Sequence, residues 1–118
     1  MNEELKQTQL KPYLSRCDES EHSFKMAEFL ADKISKGKEQ YKDMTLSDQA
    51  CLVRYAYSGK NAALLSELAE YTDDAEEIVI ALIANKNTPA NTLIEIHARA
   101  QVAAMCANWV MDEVAEGI

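Results

Sequence analysis

Three observations predict an all-α fold. The 118 residues include only three Gly and two Pro, which leaves few places for turns. β-branched content is low. Apolar residues recur at spacings of three and four through most of the chain, the period of a helix with one buried face. Apolar residues make up 47% of the chain, enough to bury a core without disulfides or metals. The expected architecture is a single all-helical domain over residues 1–118. It would be either a compact helical bundle or a short helical-repeat stack, with about five to six helices.

The N-terminal stretch, residues 1–19, carries Leu5 and Leu10 at loose spacing before Pro12. It reads as a loosely ordered arm or as a docking helix. Glu19-Ser20-Glu21 then opens a helix over roughly Ser20–Ser35. Phe24, Ala27, Leu30 and Ile34 form its apolar stripe, with Met26 and Phe29 alongside. Gly37 closes it. Lys38–Met44 is the most polar connection. Lys33, Lys36, Lys38 and Lys42 are the one local basic cluster; Glu39 and Asp43 dilute it, and it reads as a solvated helix end.

Thr45-Leu46-Ser47-Asp48 is a capping-box variant with Asp in place of the usual Glu. It opens a helix with Ala50, Val53, Ala56 and Tyr57 on one face. Ser58-Gly59-Lys60 breaks the pattern. Asn61 caps a short helix with Leu64, Leu65 and Leu68 inward.

The stretch Thr72–His97 is the centre of the pattern. Thr72 is expected to cap a helix, with Asp73, Asp74, Glu76 and Glu77 at the positive end of its dipole. Ile78–Ala84 has no polar residue, so this helix is expected to be buried on most sides. Asn85 is expected to stop it in the left-handed conformation. Thr88 and Pro89 are expected to restart the chain as N-cap and first helical residue. Leu93, Ile96 and Ala100 form the next stripe.

Leu82-Ile83-Ala84-Asn85-Lys86-Asn87-Thr88-Pro89, followed by Leu93 and Ile96, resembles the unit of the variant leucine-rich repeat, a short helical repeat. Lys86 stands where that unit has Pro, and His97 where it has Ala. The resemblance covers one unit, residues 79–97. Echoes lie at an offset of 28 (Tyr55-Ala56-Tyr57 with Leu65–Ala69) and of 23 (Val102–Asn108). It implies stacked helical pairs sharing a core.

From Pro89 to Ala115 there is no Gly or Pro. Leu93, Ile96, Ala100, Ala103, Ala107, Val110 and Val114 form a heptad seam. This suggests one C-terminal helix of up to about 40 Å, whereas the repeat needs a break near Ala98–Gln101. Ile94, Met105, Cys106 and Trp109 lie on its other side. Apolar residues on two sides mean a core helix or an interface, so Trp109, Val110 and Val114 are candidates for self-association into a homodimer.

The charged N-terminus does not resemble a signal peptide, and no apolar run approaches the ~20 residues of a membrane span. Cys17, Cys51 and Cys106 are odd in number and lack CxxC spacing. Cys51 and Cys106 fall in helical patterns as small apolar residues. A reducing cytoplasm is the expected setting. Net charge is −8, which repels nucleic acid, so direct nucleic-acid binding is not expected.

No catalytic constellation is visible. His22 and His97 lack metal-ligand spacing, and there is no Gly-rich phosphate loop and no GxSxG. Neither catalysis nor a cofactor is expected. The sharpest surface feature is acidic: Glu67, Glu70, Asp73, Asp74, Glu76 and Glu77 fall within eleven residues with no Lys or Arg among them. They read as helix capping and a solubilising face, or as a patch for a basic partner. The expected function is a non-enzymatic protein-interaction module, with Tyr55, Tyr57 and Tyr71 as anchors. The alternative is a small acidic inhibitor: a toxin-immunity protein, or a phage- or mobile-element-encoded antagonist of a nucleic-acid-binding enzyme.

Overall fold

Helix caps written into the sequence divide the described residues into six helices. The computed structural model describes residues 3–102, and side chains over 8–99. In order they are α1 (Glu3–Leu14), α2 (Glu21–Ser35), α3 (Leu46–Ser58), α4 (Ala62–Tyr71), α5 (Glu76–Ala84) and α6 (Ala90–Val102), with a single 3-10 turn at Tyr41–Asp43. No strand occurs among the described residues, and the fold is an all-α bundle.

The caps explain the boundaries. The Ser20 hydroxyl accepts from the Ser23 N–H at 3.1 Å and opens α2. Gly37, at φ 71°, closes α2. Its N–H donates to Ile34 O and the Lys38 N–H to Lys33 O, the paired bonds of a Schellman end. Thr45 accepts from the Asp48 N–H at 3.2 Å. Asn61 accepts from Ala63 and Leu64 N–H groups.

α3 is the central helix, packed against α1, α2, α4 and α5. Its buried residues are Ala50, Leu52, Val53, Tyr55 and Ala56, wider than the single expected face; Tyr57 is only half-buried. Phe24 of α2 meets the Tyr55 ring edge-on at 5.1 Å. α5 is buried from Ile78 to Leu82 without interruption, as an unbroken apolar run requires.

Of the two readings of the N-terminus, the structure has the docked helix. α1 packs on α3 and α5, and Leu10 is 1% exposed. Pro12 is tolerated in its last turn, where one missing N–H leaves an exposed carbonyl to water. Arg54 of α3 donates from Nη2 to Leu14 O at 2.9 Å, satisfying a C-terminal carbonyl of α1 with a cation.

Three local expectations are corrected. Thr72 does not cap α5; it is the buried C-cap of α4, and its hydroxyl donates to Leu68 O at 2.6 Å. α5 begins later, with Ala75 at its N-cap and no side-chain cap. Asn85 is not left-handed but extended, at φ −86° and ψ 116°, because its amide is committed across the bundle. Thr88 is buried with its hydroxyl donating back to Leu82 O, and α6 starts at Ala90, one residue late. The polar connection Lys38–Met44 also holds two core residues, Tyr41 and Met44.

α6 runs through positions 98–101 without a break. It rests on α4: Ile96 is buried, and the Thr92 and Ser66 hydroxyls lie 2.8 Å apart. The heptad seam beyond it, with Trp109, Val110 and Val114, lies outside the described residues. No described helix is long and apolar enough to cross a membrane.

Candidate functional site

The six carboxylates between Glu67 and Glu77 have three fates. Glu67 and Glu70 stand on the outer side of α4, three residues apart and therefore on one face; both are exposed. Asp73 and Asp74 follow in a turn where both take positive φ, 53° and 55°. This turn joins α4 to α5, and Asp tolerates the left-handed region because its side chain is short and polar.

Asp73 is exposed. Asp74 is not a free charge: the Arg99 Nε of α6 donates to its Oδ1 at 2.7 Å, and Arg99 Nη2 donates to Ala69 O. The sequence segment contains no cation, but the fold brings one in from 25 residues away. Arg99 thereby ties α6 to the end of α4 and to the turn.

Glu76 and Glu77 form the first turn of α5 and are half-buried. The Tyr41 hydroxyl donates to Glu77 Oε1 at 2.6 Å, a short charge-assisted bond. Burial, and then the hydrogen bond and negative charge of Glu77, raise the Tyr41 pKa well above its ordinary value of 10.0. Tyr13 of α1 is raised in the same direction by burial and by Glu77. Glu77 is therefore a structural acceptor between α1, the 3-10 turn and α5. The outward acidic surface reduces to Glu67, Glu70 and Asp73, with Glu76 at its edge.

The three tyrosines also separate. Tyr55 is 4% exposed, and its hydroxyl accepts from the Asn61 N–H, so it is a core residue and not a surface anchor. Tyr57 packs partly against the core. Tyr71 is 39% exposed and lies one turn beyond Glu67 on α4.

The basic residues of α2 behave as a solvated helix end. Lys36 pairs with Asp32, Lys33 with Glu39, and the Lys33 ammonium sits 4.8 Å over the Phe29 ring. His22 is exposed and His97 half-buried. Among the described residues no three His, Cys, Asp or Glu side chains gather as metal ligands would.

Cys17 and Cys51 are brought together: their Sγ atoms lie 3.5 Å apart. Sequence reasoning paired neither, because 34 residues separate them. Tyr41 and Arg99 were missed for the same reason. The one available signal for Tyr41 was an aromatic residue inside an otherwise polar connection.

No family model, curated protein or solved structure matches this chain.

Proposed function

We propose that the chain is a non-enzymatic interaction module that engages a basic protein partner through the outer face of α4. Glu67, Glu70 and Asp73 supply the charge, and Tyr71 supplies an aromatic contact beside them. The observation that carries this reading is the split among the six carboxylates. Asp74 and Glu77 are consumed inside the fold, whereas Glu67, Glu70 and Asp73 take part in none of the described ion pairs. Carboxylates needed only for capping would sit at the first turn of a helix; Glu67 and Glu70 lie in the second half of α4, against its dipole. The likeness of residues 79–97 to the variant leucine-rich repeat belongs to the same reading, since helical repeats present faces to protein partners.

The test titrates an arginine-rich peptide into the chain at low and high salt, beside a Glu67→Gln, Glu70→Gln, Asp73→Asn variant. The expected result is binding that weakens steeply with salt and disappears in the variant, with thermal unfolding unchanged. Equal binding by the variant, or no binding at low salt, would overturn the proposal.

A further inference from the structure

Cys17 sits in the loop between α1 and α2, and Cys51 in the second turn of α3. Their sulfurs are 3.5 Å apart, within the reach of an S–H···S contact. Both are free thiols, Cys17 buried and Cys51 half-buried.

Arg54 holds this juxtaposition in place. It lies three residues beyond Cys51 on the same side of α3. Its Nε donates to the Cys17 carbonyl at 2.8 Å and its Nη2 to Leu14 O at 2.9 Å, with Glu19 3.6 Å from Nη1. The loop that carries Cys17 is thus fastened to α3 on both sides of the sulfur contact.

We propose that Cys17 and Cys51 form a dithiol site that peroxide converts to a reversible intramolecular disulfide, stapling the α1–α2 loop to α3. A disulfide needs a sulfur separation of about 2.05 Å, so the sulfurs close by about 1.5 Å. Rotation about the two Cα–Cβ bonds and a small shift of the loop supply that movement.

Cys51, the more accessible thiol, reacts first as its thiolate. Its sulfur attacks one peroxide oxygen, the O–O bond breaks, and a sulfenic acid forms as the released hydroxide takes up the thiol proton to give water. The Cys17 sulfur then attacks the sulfenic sulfur. The S–S bond forms, the S–O bond breaks, and the departing hydroxide takes the Cys17 proton as a second water. Two thiols and one peroxide give one disulfide and two waters. Burial and the neighbouring Cys17 push the Cys51 thiol up to about 12. The Cys51 thiolate is therefore scarce at neutral pH, and its first step calls for a strong peroxide challenge.

The test treats the full chain with millimolar hydrogen peroxide, alkylates remaining thiols, and maps peptides without reduction. A Cys106→Ser variant is run in parallel to remove the third thiol. The expected product is a monomer in which the Cys17 and Cys51 peptides are joined, with two hydrogens lost. Its Tm is higher by roughly 5–15 °C, from closing a loop of this length. Dithiothreitol reverses both changes, Cys106→Ser leaves them intact, and Cys51→Ser abolishes the Tm rise. Cys51 carried on to sulfinic acid, a bridge to Cys106 or between chains, or both thiols still alkylatable would each overturn the proposal. If Cys51→Ser does not fold, the peptide map of the parent chain decides alone.

Discussion

Asn85 Nδ2 donates to the Gly59 carbonyl at 2.8 Å and to the Ala56 carbonyl at 3.0 Å. One buried amide therefore joins the end of α5 to the end of α3. It satisfies the Ala56 carbonyl, which the helix terminus would otherwise leave orphaned, and shares the Gly59 carbonyl with Asn87 Nδ2. Its own Oδ1 accepts from the Asn87 N–H at 2.9 Å, so the same side chain also shapes the turn into α6.

Asn85→Ala strands the Ala56 carbonyl in a buried site and leaves the Gly59 carbonyl with only the longer bond from Asn87 Nδ2, at 3.3 Å. The expected loss is about 1–3 kcal/mol, the cost of one unsatisfied buried acceptor. Urea unfolding measures it. A loss under about 0.5 kcal/mol would mean that water replaces the amide at no cost.

Gly59 is required by a close approach and not by an unusual φ. A Cβ there would collide with the Tyr55 ring, which already packs on Phe24 and accepts from Asn61. Gly59→Ala must displace that ring. The expected destabilisation is about 1–3 kcal/mol, as for other overpacked sites, and Gly59→Ala made in a Tyr55→Leu background should add little to what Tyr55→Leu costs alone. Calorimetry on the three variants checks both statements.

The left-handed residues Asp73 and Asp74 predict opposite responses. Asp73 is exposed, so Asp73→Gly changes stability by less than about 0.5 kcal/mol, while Asp73→Val costs about 1–2 kcal/mol because a β-branched residue is strained at positive φ. Asp74→Gly instead loses the Arg99 contact, and its cost should match that of Arg99→Lys, which cannot keep both hydrogen bonds. Urea midpoints of the four variants test the ordering.

Alkaline pH should unfold this domain early. Burial raises both Tyr41 and Cys51, the latter to about 12, above ordinary values of 10.0 and 9.0. The native state then holds these protons more tightly than the unfolded chain. The stabilisation is complete below about pH 9 and is lost as pH rises towards 12. The urea midpoint is expected to fall over that range, and to fall less in Tyr41→Phe. A midpoint that stays flat between pH 9 and 11 contradicts the burial of both groups.

Several elements were legible in the residues alone. Ser20, Thr45 and Asn61 each announce a helix start because a short polar side chain can reach back to a free N–H within its own turn. Gly37 announces an end because it adopts positive φ without steric cost. The apolar run from Ile78 announces a buried helix. Thr72 and Thr88 carry the same start signal without capping the helix that follows, and Asn85 ends α5 as expected but in an extended conformation. Each is buried, and its side chain found a carbonyl partner that a local rule does not weigh.

The acidic segment shows the same division. Its charge was visible in the sequence, but which carboxylates face outward was not, because Arg99 and Tyr41 arrive from α6 and from the connection before α3.

By itself the sequence determined the all-α class, the helix starts at Ser20, Thr45 and Asn61, and the unbroken burial of α5. These depend on interactions spanning no more than one helical turn and on hydrophobic periodicity. Only the tertiary structure decided that α1 docks, that Asn85 braces Gly59, that Asp74 and Glu77 are consumed internally, and that Cys17 meets Cys51. Each of those pairings crosses at least 25 residues or depends on how helices pack. A contact of that kind is set by the relative position of two elements, which local propensity does not encode.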